Sequence, residues 1–235
     1  MRKTRLAKAF TIALTTAMLL SGCGQSGDTT ADSNNTQGSN TSLTSQNSST
    51  QSDIGETAGE TVTTEATELL SGKHHVNIII KDKGTISVEL DADVAPITVT
   101  NFVNLAKDGF YDGVVFHRII EDFMMQGGDP TGTGGGGSGT TIKGEFAANG
   151  VENNLSHTRG AISMARSQKN DSASSQFFIV HEDSPHLDGQ YACFGYVTEG
   201  MDIVDDICEN TEGGDYNGII PEANRPVIET IEVVD

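Results

Sequence analysis

The sequence predicts a mainly β domain, an antiparallel sheet or barrel accompanied by two helices. Three observations predict it. Short apolar runs recur between Gly-rich or polar turns, a β-hairpin signal opens the folded region, and strands do not alternate with helical stretches as a doubly wound fold requires.

The first element is HVNIIIKDKGTISVEL, where Val76, Ile78 and Ile80, then Ile86, Val88 and Leu90, alternate around Asp82-Lys83-Gly84. That is a hairpin, with Gly84 supplying a positive φ. Next, Pro96 suits a first helical position, Val99, Phe102, Val103 and Ala106 recur at helical spacing, and Gly109 fits a stop one residue past the cap. Apolar runs follow at Val114 to Ile120, Phe123 to Met125, Ala161 to Met164, Phe177 to Val180 and Phe194 to Val197. Met201 to Cys208, with Ile203, Val204 and Ile207 on one face, reads as a second helix, and Val227 to Val233 as a closing strand. The two helices are placed at the ends of the sheet.

This domain occupies residues 73–235; the first quarter of the 235-residue chain is not domain-like. Residues 1–22 carry Arg2, Lys3, Arg5 and Lys8, then an apolar run from Ala9 to Leu20 too short to span a bilayer comfortably, and read as an export signal. Leu20-Ser21-Gly22-Cys23 resembles the lipobox of bacterial lipoproteins, which implies cleavage before Cys23 and its lipidation. Residues 23–72 are rich in Ser, Thr, Asn, Gln and Gly with almost no large apolar residue, so they are expected to form a disordered tether reaching about 40 Å. Losing the four basic residues of the signal leaves 10 Lys+Arg against 33 Asp+Glu, a charge of about −23. Nucleic acid and anionic lipid surfaces are therefore excluded as electrostatic partners, and membrane attachment rests on the lipid alone. Of the three cysteines, Cys193 and Cys208 remain, too few for a disulfide framework, and are assigned to packing.

The run from Gly132 to Gly137 formally satisfies G-x-G-x-x-G, but no helical period follows it, so it reads as a loop and not as a dinucleotide site. Ser138 has Thr140 where a nucleophile elbow needs its last glycine. His74, His75, His117, His157, His181 and His186 show no metal-ligand spacing, and no metal or cofactor is expected. What stands out is Arg118, set among Phe116, Ile119, Ile120, Phe123, Met124 and Met125. A guanidinium in an apolar stretch is costly to desolvate, so it is a salt-bridge partner or half of a site. On strands, Phe116, Arg118 and Ile120 would share one side, Met124 and Gln126 another, Gln176 and Phe178 a third. Apolar walls with a few long polar donors suit an apolar group beside a peptide backbone.

FHRIIEDFMMQGGDPTGTG, followed by SQFFIV, HLDG and FGYVTEGMDIV, resembles the cyclophilin-type peptidyl-prolyl isomerases over essentially all of residues 73–235. The resemblance implies a closed eight-stranded antiparallel barrel capped by two α-helices. It implies a catalyst of X-Pro rotation without cofactor or metal, with Arg118, Gln126 and Phe123 as catalytic residues. Met124, Ala165, Arg166, Gln176, Phe178, His186, Leu187 and Tyr191 would line the substrate groove. Three positions depart from the pattern: His186 stands for a tryptophan on which cyclosporin affinity leans, Tyr191 for a histidine, and Arg166 for an asparagine that serves through its backbone. The expected protein is a monomer that acts on proline-containing unfolded or exported polypeptides, lipid-anchored outside the cytoplasm of a bacterium. The alternative is a binding module or chaperone that holds proline segments without catalysis.

Overall fold

A computed structural model describes residues 68–235; the signal, Cys23 and the tether up to residue 67 lie outside the described residues. The order is β1 (Lys73–Ile80), β2 (Gly84–Asp91), α1 (Pro96–Lys107), β3 (Arg118–Ile120), β4 (Met124–Gly127), β5 (Ala161–Met164), β6 (Phe177–Val180), β7 (Cys193–Glu199), α2 (Met201–Asn210) and β8 (Ile228–Val233). Just ahead of β1, Leu70 already packs on the core, and its N–H donates to Thr100 Oγ1 at 2.9 Å.

β1 and β2 pair as the hairpin, with Val76 opposite Val88, Ile78 opposite Ile86 and Ile80 opposite Gly84. All five of these side chains are buried, as a period of two against one core demands. Gly84 turns the chain at φ +124° and Asp82 at +60°. In α1 Pro96 opens the helix, and Thr98, Val99, Phe102, Val103 and Ala106 are buried. Its first N–H groups have no intrahelical acceptor; those of Ile97 and Thr98 donate to the buried Glu145 carboxylate at 3.0 and 2.7 Å. In α2 Val204, Ile207 and Cys208 face the core.

The strand order is β3-β4-β6-β5-β7-β2-β1-β8 and every pairing is antiparallel. The expected closed barrel is not formed. The sheet is an open, strongly curled half-barrel with helical caps, its edges 13 Å apart. The physical reason lies in the run Val114 to Ile120, of which only Arg118–Ile120 becomes strand. Outside the named strands, Val115 makes single bridges to Val227 and Asp129. The free edge of β3 is instead met by a loop: the Ile119 N–H donates to Gly218 O at 2.8 Å, and the Ile220 N–H to His117 O at 2.9 Å. Contact with β8 is confined to the irregular segment before β3, where the Gly113 N–H donates to Ile228 O at 2.9 Å and the Ile228 N–H to Val114 O at 2.8 Å, so β3 and β8 never pair as strands and the ring stays open.

The curled sheet has two populated faces. Inside it, Phe102, Tyr111, Phe116, Phe177 and Phe194 form an aromatic cluster with ring centroids 5.1–5.9 Å apart. Outside it, Met124, Ala161, Phe178, Val180, Leu187 and Cys193 form a second buried cluster, flanked by Ile120, Phe123, Ala165 and Tyr191. Phe116 therefore does not share a side with Arg118: it lies ahead of the three-residue strand, where alternation does not apply, and points into the inner core. Cys193 and Cys208 are buried and unbridged, and burial pushes both thiols up to about 12.

Candidate active site

The outer face of β3, β4, β6 and β5 builds the site. Register places Arg118 opposite Gln126, Gln126 opposite Phe178, and Phe178 opposite Ser163, so these four residues form one row across adjacent strands. The next row sets Ile120 opposite Met124 and Met124 opposite Val180. Because strands lie about 4.8 Å apart and alternate residues share a face, residues far apart in sequence converge here by pairing alone.

Arg118 is half-buried at the end of its row. Nε donates to Asn217 O at 2.9 Å, and Nη1 approaches Gln126 Oε1 at 3.4 Å and Met124 Sδ at 3.7 Å. The guanidinium carbon sits 6.0 Å from the Phe123 ring centroid. Burial moves its pKa down from the usual arginine value, with Tyr191 and Asp215 opposing, and it stays charged throughout the accessible range. Among the described residues no carboxylate forms an ion pair with it, so it is not a salt-bridge partner.

A hydrogen-bonded chain fixes the polar side of the site. Gln126 Nε2 donates to Gln176 Oε1 at 2.9 Å, and Gln176 Nε2 donates to the carbonyls of Gly134 and Gly136 at 3.1 and 2.8 Å. Those carbonyls belong to the glycine run, an ordered loop held by the buried Asp129. Its carboxylate accepts from the N–H groups of Thr131, Gly134 and Gly136 at 2.8, 2.7 and 3.1 Å. Burial alone would raise the Asp129 pKa, but these donors outweigh it and pull the group down to about 2.

Arg118, Phe123, Met124, Gln126, Ala165, Arg166, Phe178, Leu187 and Tyr191 surround one cavity of about 320 Å³, large enough for a proline ring and its neighbouring peptide. Gln176 lines an adjoining cavity of about 270 Å³, which shares Gln126, Ala165 and Arg166 with the first. His186 does not line either one; it is exposed, its ring 5.6 Å from that of Phe123 at the rim. A larger depression of about 590 Å³, between the β1–β2 turn and the segment before β8, contains none of the candidate residues.

Two contributors had no signal in the sequence. Asn217, from the loop that covers the β3 edge, anchors Arg118 through its carbonyl. Behind Phe178, the His157 ring stacks at 6.0 Å and 18°, with Nδ1 2.8 Å from Asp188 Oδ1 and Nε2 2.9 Å from Ser163 Oγ. Burial lowers the His157 pKa, with Asp188 opposing. The three types match a Ser-His-Asp triad, but Ser163 is wholly buried and no substrate atom can reach it, so the set is a support for the floor.

Comparison with known proteins identifies the family. The profile of the family described as cyclophilin type peptidyl-prolyl cis-trans isomerase/CLD matches residues 75–233. Peptidyl-prolyl cis-trans isomerase B of Bacillus subtilis (strain 168) is 47% identical over 137 residues, 58% of this chain and 90% of that protein. A peptidyl-prolyl cis-trans isomerase of Helicobacter pylori (strain ATCC 700392 / 26695) is 49% identical over 128 residues, 54% of this chain and 76% of that one. The crystal structure of a Cryptosporidium parvum cyclophilin type peptidyl-prolyl cis-trans isomerase superposes with a TM-score of 0.61 at 31% identity, covering 70% of this chain and 99% of that one. With the profile reaching all eight strands of the curled sheet and both helices, the chain belongs to the cyclophilin-type peptidyl-prolyl cis-trans isomerases.

Proposed function

We propose that this catalyst of X-Pro bond rotation works through Arg118, which meets the prolyl nitrogen while the apolar cavity holds the ring. The uncatalysed barrier of about 18–20 kcal/mol is set by resonance between the amide nitrogen and the carbonyl. Rotation breaks that resonance without breaking a bond, so no nucleophile takes part. In the twisted state the prolyl nitrogen turns pyramidal and regains its lone pair. A guanidinium beside it then bonds the twisted amide better than the planar one, and only such a difference accelerates the reaction. Phe123, Met124, Phe178 and Leu187 grip the ring, Gln126 holds the rotating carbonyl side, and Gln176 orients Gln126.

The observation that carries this reading is the state of Arg118: charged, tied down through Nε and Nη1, in no ion pair among the described residues, and with Nη2 donating to no described residue at the edge of the cavity. In a protease-coupled assay on X-Pro peptides, Arg118→Ala should lower kcat/KM by roughly 10²-fold, the scale seen when one preorganised donor is removed. Its far-UV circular dichroism should stay unchanged, because the side chain is half-exposed. Arg118→Lys should recover little, since an ammonium lacks the planar fork. Near-normal turnover in Arg118→Ala would contradict the assignment.

The setting we infer is extracytoplasmic, with the domain tethered to a bacterial membrane through Cys23. The leader and the cysteine that ends it support this reading. Polypeptides leaving a membrane emerge unfolded, and their X-Pro bonds isomerise over tens to hundreds of seconds. A tethered isomerase meets them at that stage. Fractionation of cells that express Cys23→Ser should move the protein out of the membrane pellet, and unaltered membrane association would count against lipidation.

A further inference from the structure

Arg166 stands where the two cavities of the groove meet and lines both. Its guanidinium carbon lies 4.8 Å from the Tyr191 ring centroid and 4.9 Å from that of Phe146, so two aromatic faces hold the fork. Nε donates to Gln190 O at 2.9 Å, and Nη1 to Ser167 O at 2.9 Å and Gln168 O at 3.5 Å. Every described partner is a neutral carbonyl or an aromatic face. Nη2 has no described partner, and Arg166 forms no ion pair among the described residues.

The surroundings make this unusual. The chain carries 33 acids against 14 basic residues, yet no Asp or Glu lines either cavity, while Arg118 lines the first and Arg166 lines both. Long-range repulsion from an acidic surface is screened within about 8–10 Å at physiological salt, whereas a positive wall freed of carboxylates acts at contact. Such a wall favours a negative side chain on the bound segment and disfavours a positive one. The junction is also close enough to the proline cavity for this to matter, since each residue of an extended chain advances about 3.3–3.6 Å.

We propose that Arg166 is a specificity-determining residue that selects proline segments carrying Asp or Glu within two residues of the proline, its Nη2 group donating to the substrate carboxylate. The inference rests on the groove being the substrate site, as argued above. It assigns no part to Arg166 in the rotation itself.

The test is kcat/KM of the full chain on peptide sets differing only at one position near the proline, with Glu, Gln or Lys there. The wild-type chain should turn over the best Glu peptide roughly fivefold faster than its Gln counterpart and the Lys peptide more slowly still, on the scale of a partly buried charged hydrogen bond. The Glu/Gln ratio should shrink toward one as salt is raised, a measurement that needs no variant. In Arg166→Gln the ratio should collapse, and in Arg166→Lys, which keeps the charge but not the stack, part of it should remain. No Glu preference in the wild-type chain, or one that survives Arg166→Gln, would overturn the proposal. The full peptide set separates the two readings: absence of turnover on the Glu, Gln and Lys peptides alike would sink the groove as the catalytic site and this inference with it, whereas turnover without preference would sink only the inference.

Discussion

Gln126 joins the charged part of the groove to the neutral part. Its Oε1 faces Arg118 Nη1 at 3.4 Å while its Nε2 donates to Gln176, so one amide defines both the position of the guanidinium and the end of the glutamine chain. Replacing that amide by a carboxylate of nearly the same shape reverses both relations. In Gln126→Glu the new charge would pair with Arg118 and hold the guanidinium away from the prolyl nitrogen, and the donor to Gln176 would be lost. Hydrogen bonds to charged groups contribute about 1.5–3 kcal/mol, so kcat/KM should fall by roughly tenfold or more with the fold intact. An unchanged kcat/KM would show that Arg118 does not need to be free of a counter-charge. Arg118 was legible in the sequence because a lone cation in an apolar run demands an explanation, and Gln126 because it alternates with Met124. The Ser163, His157 and Asp188 support was not legible: its members are brought together by folding, and none has a spacing that suggests the others.

At the scale of elements, the hairpin, both helices and the strands β5 and β6 were readable because each is set by its own periodicity and turn residues. The turn that presents Phe123 was not, because a residue distant in sequence holds it. Asp122 lies at φ +62°, a conformation that a non-glycine residue adopts only with support. That support is His181, just after β6: its Nδ1 accepts the Asp122 N–H at 3.0 Å and its own N–H donates to Phe123 O at 2.8 Å. Nε2 faces Asp205 Oδ1 at 3.3 Å, and Arg159 caps the pair from the other side. The two ring nitrogens thus have separate partners, and amide side chains can distinguish them. His181→Asn keeps an acceptor near the Nδ1 position, while His181→Gln reaches the Nε2 position instead. If the turn positions Phe123, the Asn variant should keep KM within about twofold and the Gln variant should raise it several-fold, each with a smaller effect on kcat. Equal losses in both variants would mean that His181 acts through general stability only.

At the scale of the whole sheet the structure differs from the sequence reading in its open edge, and the cause is non-local. Whether two edge strands meet depends on what else covers them, and the loop that covers β3 carries no periodic signal. The same packing decides how the protein responds to acid. His117 and His157 are buried, and burial lowers the pKa of each below the ordinary histidine value of 6.5, against the pull of Asp129 and Asp188 respectively. A depressed folded-state pKa means that, below about pH 6.5, the unfolded chain binds protons that the folded one resists. Stability is therefore full above that value and declines as the pH falls toward the folded-state values. His75 runs the other way: its hydrogen bond to Asp235 raises its pKa, giving stability present at low pH and lost as pH rises, but it is exposed and screened. Asp129 adds a second, lower step, since its contribution is present above about pH 4 and disappears as the pH falls through about 2. Urea midpoints measured from about pH 8 down to pH 5 should stay level at first and then fall below about pH 6.5. His157→Gln, which has no proton to gain in this range, should flatten that fall even if it lowers the plateau. A midpoint that holds steady from pH 8 to pH 5 in the wild-type protein would mean that neither buried ring resists protonation, and the packing behind Phe178 would have to be looser than these distances describe.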